Sequence, residues 1–156
     1  MTIFEQILAA RGFTGLTDNH SFLKPDYQAT KHNPFLLPDM AKAVDRLKKA
    51  LTDQEKVVIY GDYDIDGLSA TALLLDAFSS FGFKNVDAFI PNRFVEGYGM
   101  TKGAVDKVKD MKANLIVTVD CGSLCHEEIA HASSLGIDTI VTDHHNVADT
   151  PPPAIA

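Results

Sequence analysis

Short apolar segments rich in β-branched residues recur along the chain, and amphipathic segments separate them. The apolar segments predict four strands, KVVIY (56–60), VDAFI (86–90), LIVTV (115–119) and DTIVT (138–142). The amphipathic segments predict helices over about 68–81, 101–111 and 123–135. Strands that alternate with helices indicate βαβ units. We therefore predict an α/β fold, with a parallel β-sheet covered by helices on both faces.

The N-terminal part of the chain lacks this alternation. Residues 2–11 predict a short amphipathic helix, and a proline-containing, loop-like segment follows it. A further helix is predicted from about Pro38, with apolar side chains at helical spacing at Met40, Val44, Leu47 and Leu51. We expect an N-terminal helical arm (1–37), an α/β domain (38–150) and a Pro-rich exit (151–156) toward a part outside this chain.

The composition suits one soluble domain with a real core, because 46% of the 156 residues are hydrophobic and 22% are charged. No apolar run approaches a membrane span, and the N-terminus lacks the features of a signal peptide, so a cytoplasmic location is the default expectation. Cys121 and Cys125 are too few for a disulfide framework and are expected to be reduced thiols. The net charge of -7 argues against nucleic-acid binding through a broad basic face.

The first predicted strand leads directly into three aspartates spaced two apart, Asp62, Asp64 and Asp66, followed by Gly67. An EF-hand calcium loop would need a glutamate at the twelfth position, where this chain has Leu73. Unit charges about 5 Å apart repel by roughly 3 kcal/mol at an effective dielectric constant near 20. The aspartates are therefore either fully solvated or bind cations.

Polar residues also follow the other three predicted strands. PNRFVEGYG follows the second strand, Asp120 follows the third, and Asp143, His144 and His145 follow the fourth. Ligands of parallel sheets bind at the carboxyl ends of the strands. Each cluster alone is explained equally well by helix capping or by an ordinary histidine. The convergence of five carboxylates and two imidazoles on one edge favours a functional site.

Carboxylate oxygen and imidazole are ligands that suit Mn²⁺ or Mg²⁺. Several carboxylates are more than one ion needs, and two ions roughly 3.5 to 4 Å apart is an arrangement used for phosphoryl transfer to water. Asp64 and Asp66 share a face in an extended segment, whereas the adjacent His144 and His145 are predicted to point apart. We expect one of the two histidines to be a ligand.

With GDYDIDG, PNRFVEGYG, TVDCG and TDHH in this order, the chain resembles the DHH phosphoesterase family and, within it, the RecJ-type single-strand-specific 5′ to 3′ exonucleases. The resemblance runs from about Asn33 to the end of the chain. It implies a site for two Mn²⁺ or Mg²⁺ ions, bridged by Asp120. The implied metal ligands are Asp64, Asp66, Asp120 and His144.

The resemblance also implies roles for the remaining polar residues. Asp62, Asp143 and His145 are expected in supporting, catalytic or substrate-contacting roles beside Asp120, and Asp62 is also a candidate ligand. Arg93 resembles the family's arginine that contacts nucleic-acid phosphate, and a guanidinium suits a terminal phosphate. His145 is a second candidate for phosphate contact.

The implied activity is metal-dependent hydrolysis of single-stranded DNA, in DNA repair and recombination, with single-stranded DNA as the partner and no membrane association. Family members carry a further metal-binding aspartate and additional C-terminal domains, which do not occur in this sequence. We therefore expect an incomplete N-terminal part of a longer protein, or a truncated relative, with little or no activity by itself.

Three other functions share some of these features. Small-substrate DHH enzymes, which cleave pyrophosphate, short oligonucleotides or cyclic dinucleotides, usually carry a histidine where this chain has Tyr60. Haloacid-dehalogenase-like phosphatases also place D-x-D after a first strand, but they have no role for the DHH triplet. A catalytically silent replication scaffold of the same fold would lack carboxylates, and the motifs present here have theirs.

Overall fold

A computed structural model describes residues 2–13, 21–97 and 99–156, and these form two compact units, Met1–Leu36 and Leu37–Ala156. The first unit contains helix α1 (Ile3–Ala10), the one-turn helix α2 (Tyr27–Thr30) and a 3-10 turn (Pro34–Leu36). The helix predicted over residues 2–11 is thus present as α1. It begins with a capping box, in which the Thr2 hydroxyl accepts a hydrogen bond from the Glu5 N–H and the Glu5 carboxylate accepts one from the Thr2 N–H. Residues 14–20 of the predicted loop lie outside the described residues.

The second unit alternates helices and strands. Its elements are α3 (Met40–Asp53), β1 (Val57–Gly61), α4 (Ile65–Phe81), β2 (Val86–Phe89), α5 (Lys102–Asp110), β3 (Leu115–Val119), α6 (His126–Ser134) and β4 (Asp138–Thr142). The strands form one sheet in the order β2-β1-β3-β4, and every pair is parallel. The predicted α/β fold with a parallel sheet is confirmed.

Helices cover both faces of this sheet, as the sequence predicted. β1 and β3 are buried along their whole length, so successive side chains enter two different apolar clusters. On one face, Val58, Tyr60 and Ile116 share a cluster with residues of α5 and α6. On the other face, Val57 and Ile59 share a cluster with residues of α3 and α4. Cys121 and Cys125 are both free thiols.

The strand order creates a topological switch point at the centre of the sheet, between β1 and β3. From β1 the chain crosses through α4 to β2 on one side, and then returns through α5 to β3 on the other side of β1. The carboxyl ends of β1 and β3 therefore flank a crevice of the kind in which parallel sheets bind ligands. Gly61 at the end of β1 is paired with Val119 at the end of β3.

The starts of α4 and α6 each differ from the predicted start by three residues. α4 begins three residues earlier than predicted, because the Asp64 side chain caps it by accepting hydrogen bonds from the N–H groups of Asp66 (3.0 Å) and Gly67 (3.1 Å). α6 begins later than predicted, at His126. The residues before it form a turn in which the Cys125 N–H donates to the Gly122 carbonyl (3.0 Å).

The last residues of the chain lie beside β4. The Ile155 N–H donates to the Thr139 carbonyl, and the Val141 N–H donates to the Ala156 carbonyl, both over 2.8 Å. The proline content of this segment did not predict a return to the sheet, and the three-part domain organisation stays a prediction. Within the described residues, no helix combines the length and apolar character that crossing a membrane requires.

Candidate metal centre

Asp120 follows β3 directly and has a left-handed backbone conformation, with φ of 62°. Its N–H donates to the Thr142 carbonyl at the end of β4 (3.0 Å), and its side chain is 6% exposed. Aspartate adopts this conformation more readily than most residues, and holding a non-glycine residue there costs on the order of 1 kcal/mol or more. The fold thus keeps a carboxylate in a costly conformation at the crevice between β1 and β3.

Three carboxylates meet at this crevice. Asp62, Asp64 and Asp120 each offer an oxygen, and these oxygens all lie within 4.8 Å of one another. Burial raises the pKa of Asp120, and the negative charge of Asp64 raises it further. The pKa of Asp64 is lowered, chiefly by the hydrogen bond from the Gly67 N–H. A cation at this cluster would relieve the repulsion that raises the pKa of Asp120.

Two histidines approach the same aspartate from the loop after β4. The Nε2 atom of His144 lies 2.9 Å from Asp120 Oδ1, and the Nδ1 atom of His145 lies 4.0 Å from it. The prediction that the two rings point apart was wrong, since their centroids are 4.6 Å apart. The reason is local: β4 ends at Thr142, and Asp143 Oδ1 accepts hydrogen bonds from the N–H groups of both histidines, which makes a turn.

Asp143 ties this turn to the loop after β3. Its Oδ2 atom accepts a hydrogen bond from the Ser123 N–H (3.0 Å), and its Oδ1 atom lies 2.8 Å from His145 Nδ1. Burial raises the pKa of Asp143, but the hydrogen bonds from Ser123 and His145 outweigh this effect and lower the pKa to about 2. Asp143 therefore stays a carboxylate that orients His145, and the same hydrogen bond raises the pKa of His145.

The donor set fits a divalent cation. Asp120 belongs both to the group with Asp62 and Asp64 and to the group with His144 and His145. Its Oδ2 atom is buried, and no hydrogen-bond donor of the described residues reaches it. A buried carboxylate oxygen without a donor is costly unless a cation compensates it. Oxygen and imidazole donors without a thiolate match the preferences of Mn²⁺ and Mg²⁺.

Asp66 is the one predicted ligand that these groups do not include. It lies exposed in the first turn of α4, where its N–H donates to Asp64. Its role as a metal ligand stays a prediction. Asp62, by contrast, lies in the carboxylate group with only 1% of its surface exposed.

Two glycines allow the loop after β1 to pack this closely, and the sequence reasoning assigned them no role. A Cβ atom at Gly67 would lie 2.6 Å from the Asp62 backbone nitrogen, and still closer to the Asp62 carbonyl oxygen. A Cβ atom at Gly61 would lie 2.7 Å from Ile90 Cδ1 and would also clash with Thr71 Oγ1. The recurrence of glycine on both sides of the aspartates was the available signal.

Arg93 lies in the loop after β2, and this loop contacts the loop after β1 that carries Asp62 and Asp64. Its guanidinium carbon lies 4.8 Å from the centroid of the Tyr63 ring. Tyr63, between Asp62 and Asp64, was not among the predicted site residues, although its position between two candidate ligands was a signal. Tyr98 of the same motif lies outside the described residues.

The chain is similar in sequence to known exonucleases. The chain is 40% identical over 139 residues to the single-stranded-DNA-specific exonuclease RecJ of Bacillus subtilis, covering 89% of this chain and 17% of that protein. It is 45% identical over 120 residues to RecJ of Escherichia coli, covering 77% of this chain and 21% of that protein. The chain thus spans about a fifth of the length of these curated relatives.

Solved structures of RecJ resemble this one. A crystal structure of exonuclease RecJ bound to manganese matches with a TM-score of 0.70 and 38% identity, over 77% of this chain and 31% of that one. A structure of RecJ in complex with Mn²⁺ from Thermus thermophilus matches with a TM-score of 0.71 and 31% identity, over 95% of this chain and 20% of that one. The family model described as "DHH family, N-terminal domain" matches residues 56–156, which include every residue of the candidate site. The chain belongs to the DHH family.

Proposed function

We propose that this chain carries the metal-binding part of a phosphodiesterase that hydrolyses single-stranded DNA from its 5′ end with Mn²⁺ or Mg²⁺. The observation that carries the proposal is the position of Asp120, which is shared by two groups of candidate ligands and has a buried oxygen without a donor. The relatives' names support the choice of substrate, and the manganese-bound structures support the choice of metal.

In this proposal, Asp62, Asp64 and Asp120 hold the ions on one side and His144 on the other, with Asp66 as a further ligand. When bound, the divalent ions supply positive charge for the phosphate and acidify a water. The chain's own residues fix this arrangement, because the left-handed turn at Asp120 and the cap formed by Asp64 leave the carboxylates little freedom.

His145 and Arg93 are the proposed substrate contacts. Asp143 is a carboxylate at neutral pH, so His145 Nδ1 carries the proton of their shared hydrogen bond. The Nε2 atom of His145 then remains for a contact with substrate phosphate or with the leaving oxygen. Arg93 is exposed in its loop and is proposed to bind the 5′-terminal phosphate through its fork of N–H donors.

A small-substrate DHH activity has less support. Tyr60, where those enzymes usually carry a histidine, is fully buried, and its hydroxyl donates to the Gly99 carbonyl (3.1 Å). Burial also raises its pKa, so the phenol stays neutral and supplies packing. A silent scaffold has less support too, because the candidate carboxylates converge. A role in DNA repair and recombination belongs to the proposal as what the resemblance implies, and a cytoplasmic location belongs to it as the default expectation from the sequence.

The test is hydrolysis of a 5′-phosphorylated single strand with Mn²⁺, by protein made in the longest form that its reading frame encodes. Asp120→Asn should abolish hydrolysis while the protein stays folded, because asparagine tolerates the left-handed conformation and removes only the charge. Asp110→Asn, at an exposed position at the end of α5, is the matched control and should retain activity. Activity of the Asp120→Asn variant near that of the control would refute the proposal.

A further inference from the structure

Arg93 is held by an aromatic ring instead of an acid. Its guanidinium carbon lies 4.8 Å from the centre of the Tyr63 ring, within the range of cation–π attraction. Among the residues that the structure describes, no carboxylate lies within ion-pair distance of Arg93. A carboxylate partner would occupy two of the five N–H donors of a guanidinium, whereas a ring face attracts the cation without consuming them. The donors of Arg93 thus remain for an anion.

Both partners of this contact are fixed by their own loops. The Tyr63 N–H donates to Asp62 Oδ1 (2.7 Å), which ties the tyrosine to the carboxylate cluster. The turn that carries Arg93 is built on Asn92, whose side chain accepts a hydrogen bond from the Phe94 N–H (2.9 Å). The Asn92 N–H in turn donates to the Glu96 carboxylate (2.6 Å), which also pairs with a lysine of α5.

The strand order places this contact at one end of the candidate metal centre. β2 lies beside β1, β1 beside β3 and β3 beside β4, so Arg93, the aspartates and the histidines follow one another along one edge of the sheet. Asp64 and Asp66, which follow Tyr63 in the chain, are exposed. They would compete for a mobile arginine, and an arginine paired with a metal-binding carboxylate would serve neither phosphate nor metal.

We propose that Tyr63 is a positioning residue, which holds the Arg93 guanidinium apart from the metal-binding carboxylates and ready for the 5′-terminal phosphate of the strand. This inference rests on the proposed function, because it concerns the substrate end of the same site. Tyr63 acts through its ring face, so its hydroxyl is not required, and a phenylalanine should replace it.

The experiment compares the steady-state kinetics of Tyr63→Leu, Tyr63→Phe and the unchanged protein, all made in the longest form that the reading frame encodes. The substrates are two otherwise identical oligonucleotides, one with a 5′-phosphate and one with a 5′-hydroxyl. Tyr63→Leu should raise KM for the phosphorylated strand about three- to tenfold, with much smaller changes in kcat and in KM for the hydroxyl strand. Tyr63→Phe should keep the normal ratio of KM for the phosphorylated strand to KM for the hydroxyl strand. In the double variant with Arg93→Ala, the leucine should have no additional effect, because the two residues form one unit.

Tyr27→Leu is the matched control, since Lys31 lies over the Tyr27 ring at 5.9 Å in the N-terminal unit. It removes a tyrosine–cation contact of the same kind and should leave the KM ratio unchanged. If Tyr63→Leu leaves the ratio of the two KM values unchanged, the inference is overturned and the proposed function is not. The same holds if Tyr63→Leu loses activity equally on both strands and binds Mn²⁺ more weakly, because Tyr63 would then support the carboxylates. Failure of the unchanged protein to hydrolyse either strand would overturn the proposed function, and the inference with it.

Discussion

The Nε2 atom of His144 lies 2.9 Å from the Oδ1 atom of Asp120, so the loops after β4 and β3 meet at one carboxylate oxygen. The other oxygen of Asp120 is buried without a donor among the described residues, and burial together with the charge of Asp64 raises the pKa of this carboxyl. A divalent cation would compensate the missing donor, the burial of Asp120 and the repulsion from Asp64 at once.

Removing the metal should therefore destabilise the protein. A ligand that binds only the folded state stabilises it by about 2.7 kcal/mol when its free concentration is about 100 times Kd. We expect saturating Mn²⁺ to raise Tm by several degrees and EDTA to reverse the effect, as measured by differential scanning calorimetry. Asp120→Asn should lose this shift, and Asp110→Asn should retain it. A shift of equal size in both variants would place the ion elsewhere.

The second prediction concerns the binding of the substrate's 5′-phosphate by Arg93. Arg93→Ala should weaken the use of a 5′-phosphorylated strand about ten- to a hundredfold, because charge-assisted hydrogen bonds to phosphate are lost. Arg93→Lys should fall between, since lysine keeps the charge and loses the fork. Mn²⁺ affinity measured by calorimetry should stay the same in both variants. Arg11→Ala, at an exposed position after α1, is the control. Normal kinetics of Arg93→Ala on the phosphorylated strand would exclude this role.

The strands were predictable to within one residue at each end, because β-branched runs at β1, β3 and β4 have few alternatives in a buried parallel sheet. The convergence of polar residues at one edge followed from the same pattern. The start of α4 was not predictable in this way. Asp62, Asp64 and Asp66 are equally good caps by residue type, and only the structure identifies Asp64 as the one whose carboxylate accepts the helix N–H groups.

Contacts between distant segments lay beyond the sequence. Tyr63 and Arg93 meet because β2 is the neighbour of β1, and a strand order cannot be read from hydrophobic periodicity. The two histidines share one side of Asp120 because Asp143 folds their backbone into a turn. The alternation of side chains along a strand does not apply where a side chain, here that of Asp143, accepts hydrogen bonds from the backbone N–H groups.

The third prediction tests the close packing beneath the carboxylates. In Gly67→Ala, the new Cβ would lie 2.6 Å from the Asp62 backbone nitrogen, so backbone rather than a flexible side chain must move. We expect a loss of about 1 to 3 kcal/mol in the free energy of unfolding, together with weaker Mn²⁺ binding. Gly103→Ala in α5 is the matched control, because its Cβ would meet nothing within 4 Å. It should stabilise the helix by about 0.5 to 1 kcal/mol, and equal losses in both would refute the packing argument.

The last prediction concerns the pH dependence of stability, far from the metal centre. The Glu55 carboxylate lies 2.6 Å from Arg46 Nη2 and 2.7 Å from Lys49 Nζ, and the side chains of Glu55 and Arg46 are only 14% and 9% exposed. Burial raises the pKa of Glu55, but the hydrogen bonds from Lys49 and Arg46 outweigh it, and the pKa lies below its ordinary value of 4.5. A carboxyl whose folded-state pKa is lowered stabilises the fold above its unfolded pKa and loses this contribution as the pH falls through the folded value.

Glu55→Gln should therefore lower the free energy of unfolding at pH 7 by about 1 kcal/mol, because the charge-assisted hydrogen bonds from Arg46 and Lys49 are weakened. The difference from the unchanged protein should shrink as the pH falls below 4.5, because the carboxyl of the unchanged protein then becomes protonated. Urea unfolding between pH 3.5 and 7 measures this, with EDTA present throughout. Asp45→Asn is the control, because Asp45 lies 3.6 Å from Lys48 with both side chains exposed. A pH-independent difference for Glu55→Gln would mean that its charge contributes nothing, and that shape alone holds α3 against the start of β1.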